Sequence, residues 1–214
     1  MKKRERFTLV VVGMLALCLF VFPSIANANG GTWHVATTGD DEAGDGTSEK
    51  PWKTIQGAVN KDEVMDGDVI IVHDGTYTEN VDVNKSLTIK SENGYATTTV
   101  AAANSSDHVF DVQADSVTIG GEGCGFSIYG ATASVKAGIY LGNNNCTIQN
   151  NRCGWDGGHN NYYGILLSFS NNNMLTENTI DSNIVGILLS SSSANTLSGN
   201  TANSNSNYGI YLSS

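Results

Sequence analysis

Two carboxylates stand at matching places in similar short segments, Val81-Asp82-Val83 and Phe110-Asp111-Val112, 29 residues apart. If these segments stack as neighbouring parallel strands, alternation turns both acids to one outer face, about 4.8 Å apart. Acids at that distance either hold a Ca²⁺ ion or share a proton; the plainer alternative is two solvated charges. A second group is Arg152, Trp155 and Asp156, at the start of a loop running to Tyr163. An aromatic face, a guanidinium and a carboxylate on a protruding loop suit sugar binding, and a decorative insertion is the other reading. The four histidines, His34, His73, His108 and His159, have no metal-ligand spacing. Apart from Ca²⁺ at the acid pair, the residues imply no cofactor. Asn84-Lys85-Ser86, Asn104-Ser105-Ser106 and Asn145-Cys146-Thr147 are glycosylation sequons, relevant where the source modifies Asn.

The elements that would position these groups are read from a repeat. Gly138-Ile139-Tyr140-Leu141, Gly164-Ile165-Leu166-Leu167, Gly186-Ile187-Leu188-Leu189 and Gly209-Ile210-Tyr211-Leu212 recur at steps of 26, 22 and 23 residues. Val81-Asp82-Val83 and Phe110-Asp111-Val112 extend this column upstream at steps of 29. A second column runs through Ile89, Ile119, Ile148, Leu175 and Leu197, and a third through Val100, Ile128, Cys153, Ile180 and Ala202. A unit of this length cannot bury its apolar face alone and must stack on its copies. Three short strands per turn at this period predict an all-β fold, a parallel β-helix, with period-2 alternation sorting side chains inward and outward. In the same frame Asn151, Asn178 and Asn200 form a ladder at one turn, and Gly138, Gly164, Gly186 and Gly209 mark a bend entering a strand.

Upstream, Pro51 to Val59 reads as a short amphipathic helix, with Ile55, Ala58 and Val59 on one side, suited to closing the open end of the solenoid. Lys2, Lys3, Arg4 and Arg6, the apolar run from Phe7 to Phe22, and Ala26-Asn27-Ala28 make an export signal with cleavage after Ala28. The run is shorter than the ~20 residues of a membrane span, so none is retained. The expected organisation is residues 1–28 signal peptide, 29–66 N-terminal strand, loop and capping helix, and 67–214 β-helix. Removing 1–28 takes four bases and one acid from the chain's 11 and 21, which leaves a net charge of −13. Such a balance excludes nucleic acid as a partner and suits a secreted, periplasmic or cell-surface protein. In an oxidising compartment the 29-residue step from Cys124 to Cys153 predicts neighbours on adjacent turns and a disulfide, with Cys146 free; three buried thiols are the alternative.

The segments Pro51-Trp52-Lys53-Thr54-Ile55-Gln56-Gly57-Ala58-Val59, Gly67-Asp68-Val69-Ile70-Ile71-Val72 and Gly75-Thr76-Tyr77, with the Gly-Ile-Tyr-Leu and Asn-rich repeats, resemble right-handed β-helix proteins of the pectin-lyase-like superfamily. The C-terminal repeats look most like its NosD-type branch of periplasmic and cell-surface proteins. The resemblance implies a sugar groove on one outer face, with carboxylates for calcium or acid/base work and often an Arg or Lys as base. The matching residues are core and turn residues, which specify fold more than chemistry.

The leading expectation is an exported β-helix module without catalysis, a surface scaffold or carbohydrate-binding element whose partner is a polysaccharide or surface glycan. The alternative is a polysaccharide lyase or glycoside hydrolase with Asp82 and Asp111 as its acids. A NosD-like periplasmic accessory protein is a further one. Leu212 is followed by only two residues, so the C-terminal end is expected to be covered by further β-helix turns or by a partner.

Overall fold

The structure, a computed structural model, describes residues 30–155 and 157–214. The export signal at 1–28 and Asp156 lie outside the described residues. The chain opens with β1 (Thr32–Val35) and α1 (Ile55–Val59), then winds through β2 (Val69–Val72), β3 (Gly75–Thr78) and β4 (Val81–Val83). The next turns are β5 (Thr88–Ser91), β6 (Thr98–Ala101) and β7 (Phe110–Val112), then β8 (Thr118–Gly120), β9 (Ser127–Tyr129) and β10 (Ala137–Leu141). They are followed by β11 (Thr147–Gln149), β12 (Arg152–Cys153) and β13 (Tyr163–Ser168), then β14 (Met174–Thr176), β15 (Thr179–Ile180) and β16 (Val185–Ser190). The path ends with β17 (Thr196–Ser198) and β18 (Tyr208–Ser213).

From β2 to β17 every third strand joins the same sheet, while β1 pairs with β2 and β18 with β16. The first sheet has the order β1-β2-β5-β8-β11-β14-β17, the second β3-β6-β9-β12-β15 and the third β4-β7-β10-β13-β16-β18. The strand pairings are parallel throughout, and the fold is a parallel β-helix of about five turns. The register is the one the repeat predicts: Val81, Phe110, Ile139, Ile165, Ile187 and Ile210 are aligned across the third sheet. In the second sheet Val100 faces Ile128, Ile128 faces Cys153 and Cys153 faces Ile180. These side chains fill one continuous core, each with almost no solvent contact until the last turn, where Ile210 is 48% and Leu212 70% exposed. At the other end Trp52, Ile55, Ala58 and Val59 are fully buried against the first turn. Glu79 holds α1 there, its two oxygens accepting from the backbone N–H groups of Ile55 (3.0 Å) and Gln56 (2.8 Å).

Three short strands per turn leave three corners, where backbone groups must find partners outside the strand ladders. Asn side chains supply them. Asn151 N–H donates to Asn178 Oδ1 (2.9 Å), and Asn178 N–H to Asn200 Oδ1 (3.0 Å), at the corner between first and second sheets. Asn161, Asn183 and Asn205 repeat the arrangement between second and third sheets, and Asn173 and Asn195 between third and first. The backbone bend itself belongs to the preceding residue. Asn150 (φ 57°) and Glu177 (φ 56°) take the left-handed conformation, which frees the ladder Asn to face inward.

Two expectations are corrected. The repeat glycines do not bend the chain but lie within strands, where the next turn comes too close for a side chain: a Cβ on Gly164 would sit 2.2 Å from Ile180 Cγ2 and 2.7 Å from Gly186 O. Cys124 and Cys153 are not neighbours. Cys153 faces Ile128, a step of 25 residues, because the corner from β8 to β9 holds four more residues than the one from β11 to β12. Cys124, Cys146 and Cys153 are all free thiols, and burial pushes the Cys153 thiol well above its ordinary range.

Candidate functional site

Alternation along the third sheet turns Ile139 and Leu141 inward and Tyr140 outward. The outward row therefore reads Asp82, Asp111, Tyr140, Leu166, Leu188 and Tyr211, one residue per strand. A second row, Ala137, Tyr163, Val185 and Tyr208, lies in register at the strand starts. Together they make a small apolar cluster outside the main core, in which Ala137, Leu166, Val185 and Leu188 are buried beneath partly exposed Tyr140, Tyr163 and Ile184. Tyr208 and Tyr211 stack at 4.8 Å and are 53% and 42% exposed. The row is thus a strip of phenol rings over aliphatic side chains, with acids at one end.

His108 ties the apolar part to the acidic part. Its ring stacks on Tyr140 at 4.6 Å, and Nδ1 accepts from the Ala137 N–H at 3.0 Å, so the neutral ring carries its proton on Nε2. Burial, with the Lys136 charge nearby, lowers its pKa to about 4. Lys136 is itself paired with Asp107 at 3.3 Å. Asp111 is half-buried, and desolvation, reinforced by Asp82 and Asp107, raises its pKa against the lowering effect of a hydrogen bond from Gln113. Asp82 is exposed, and its backbone N–H donates to Gln56 Oε1 at 2.6 Å. The pair can accept hydroxyl hydrogen bonds, share a proton or face a hard cation.

The other predicted group lies on a different sheet. Arg152, in β12, and Trp155, on the loop that follows it, come together with the guanidinium 5.0 Å from the indole centroid. Gly157 and Gly158, both at positive φ, turn a small hairpin closed by Trp155 N–H donating to His159 O at 2.7 Å. The His159 ring lies parallel to the indole at 4.5 Å, and Tyr129 meets both edge-on. The indole's π-surface is therefore engaged by its own chain. This cluster is not joined to Asp82 and Asp111, which stand on the third sheet.

Besides the Asn ladders at Asn161, Asn183 and Asn205 and at Asn173 and Asn195, two arrangements were missed by sequence reasoning. The residue before each repeat glycine forms the second outward row, a signal present in the text as Ala137, Tyr163, Val185 and Tyr208. His34 Nδ1 lies 3.0 Å from His73 Nε2, and His73 Nδ1 lies 3.4 Å from Glu92. Burial and then the neighbouring His73 lower the His34 pKa. Among the described residues no group of three or more His, Cys, Asp or Glu is placed to hold a metal ion, and no helix is long and apolar enough to cross a membrane.

Stacked triplets of strands, Asn-laddered corners and one elaborated outer face define a parallel β-helix repeat protein. Residues 59–214 match the family model described as NosD, periplasmic copper-binding protein, and the chain belongs to the NosD family. Over 124 residues it is 40% identical to a cell surface glycoprotein of Methanothermus fervidus, a match covering 55% of this chain and 18% of that relative. The chain thus spans less than a fifth of the relative's length. A rhamnogalacturonan lyase structure aligns at a TM-score of 0.40 and 15% identity, over 86% of this chain and 50% of that one.

Proposed function

We propose that this chain is an extracytoplasmic, cell-surface β-helix module that binds an extended polysaccharide along the outer face of the third sheet. The observation that carries the reading is the outward row from Asp82 to Tyr211, which sets one side chain per strand at increments of about 4.8 Å, with tyrosines reaching solvent over the buried Leu166 and Leu188. That increment is close to the length of one sugar in an extended chain. Phenol rings suit the C–H faces of sugars, and the carboxylates suit their hydroxyl groups. The NosD family's periplasmic description and the cell-surface relative support a location outside the cytoplasm. The test is a glycan array run with and without Ca²⁺. Binding should fall at least tenfold on Tyr140→Ala or Tyr163→Ala and be unchanged by Tyr95→Ala, on another face. Equal binding by all three variants refutes the assignment.

A catalytic reading draws on one observation, half-buried Asp111 with its raised pKa in register beside the exposed carboxylate side chain of Asp82, which suits a general acid with a second carboxyl group at hand. Acidic polysaccharides incubated with the protein and Ca²⁺ would then be shortened, and Asp111→Ala would abolish the products. Intact polymer in every reaction would leave the binding module as the function.

A further inference from the structure

We propose that Asn84, Asn104 and Asn145 are acceptors for N-linked glycans. The chain is rich in Asn, and the fold divides these residues by what their side-chain nitrogen does. At the corners, Asn151, Asn161, Asn178, Asn183, Asn200 and Asn205 each donate Nδ2 to a main-chain carbonyl of a neighbouring turn. Asn173 and Asn195 donate theirs to Ser170. None of these eight has Ser or Thr two residues on. The three Asn residues that do carry that signal are exposed, and their Nδ2 atoms have no protein partner among the described residues. Sequon and ladder are therefore mutually exclusive, as they must be if a transferase acts on this chain, because a glycan on a ladder Asn would break a corner of the core.

Local geometry supports each acceptor. Asn104 lies in an exposed run from Ala103 to Ser106, and its Oδ1 accepts the Ser106 N–H at 3.0 Å, an Asx turn that engages the side-chain oxygen and not Nδ2. Asn84 follows β4 by one residue, and Asn145 sits in the corner between β10 and β11. These two share the corner between third and first sheets, two turns apart, whereas Asn104 lies on the corner between second and third sheets. Glycans at these positions would fringe the third sheet on both lateral edges and leave its outer row open.

The donor is a lipid-linked oligosaccharide with a phosphate or pyrophosphate leaving group. Asn Nδ2 forms a bond to the anomeric carbon, the bond from that carbon to the phosphate oxygen breaks, and one amide proton passes to a base. No redox partner is involved. The test is production of the full, exported chain in a host with an active oligosaccharyltransferase, followed by intact mass and glycopeptide mapping. Three glycans are expected, at Asn84, Asn104 and Asn145, and one is lost in each of Asn84→Gln, Asn104→Gln and Asn145→Gln. Ser86→Ala, Ser106→Ala and Thr147→Ala should remove the same glycans with the acceptor Asn in place. An unmodified site, in a host that glycosylates a control sequon protein, overturns the assignment for that site. A glycan on any of the eight ladder residues overturns the division on which the proposal rests.

Discussion

Replacing Asn178 with Ala tests the corner ladder at a buried position with a ladder Asn on the turn to either side. The side chain is 1% exposed. Its Nδ2 donates to Ile148 O at 2.8 Å and to Asn200 Oδ1 at 2.9 Å, and its Oδ1 accepts the Asn151 N–H at 2.9 Å. Alanine leaves the Asn151 N–H and the Ile148 carbonyl without these partners in a buried corner. A stranded buried group costs about 1–3 kcal/mol, so the two together predict a loss of about 2–6 kcal/mol. That is a large share of the roughly 5–15 kcal/mol that stabilises a domain. Asn171→Ala is the control, because Asn171 Oδ1 accepts from Ser193 in an exposed setting, where water can substitute at about 0.5 kcal/mol. Asn178→Asp separates donor from shape: it keeps size and acceptor but sets a carboxylate oxygen against Ile148 O, and should destabilise at least as much as Ala. Urea melts supply the free energies. Hydrogen exchange should show β14 to β18 opening ahead of the N-terminal turns, since coupling in a solenoid runs through nearest neighbours. If Asn178→Ala and Asn171→Ala melt at the same urea concentration, the ladder is not what holds the corner.

Protonation of His108 should destabilise the fold in a defined window. Its pKa is about 4 in the folded chain against 6.5 unperturbed, so its contribution is intact above pH 6.5, declines as pH falls toward 4 and is constant below that. With solvent screening, the loss is about 1–3 kcal/mol, and His108→Gln, which keeps an acceptor for Ala137 N–H, should flatten this part of the pH–stability curve measured in urea. Asp111 has the opposite sign. Its raised pKa means that the folded chain holds the proton more tightly, so stability is lost as pH rises through the folded value, and Asp111→Asn should raise the melting temperature at pH 7 but not below the ordinary value of 3.8. Gly164→Ala should cost about 1–3 kcal/mol by overpacking, whereas Gly121→Ala, whose Cβ would meet nothing nearer than Cys124 at 3.8 Å, should be close to neutral in the same urea assay.

Much of this fold could be read along the chain because a solenoid repeats one environment. Each inward position meets the same neighbours above and below, so Ile139, Ile165, Ile187 and Ile210 had to recur, and their alternation with Tyr140, Leu166, Leu188 and Tyr211 placed Asp82 beside Asp111. Corners obey no such rule, because their length is free as long as the strands come back into register. The four extra residues between β8 and β9 therefore defeat the pairing of Cys124 with Cys153. The meeting of His34 with His73 likewise depends on β1 pairing with β2 across an intervening loop and helix, a step shared by no other turn. Burial on the outer face was also invisible in the text, since an outward Leu in an alternating strand reads as a surface residue. What the sequence determined was the inward columns, the strand register and the one ladder at Asn151, Asn178 and Asn200, all set by local periodicity. What only the tertiary structure decided was which outward side chains cover one another, which Asn nitrogens are occupied and which corners bulge, because these depend on neighbours whose spacing the repeat does not fix.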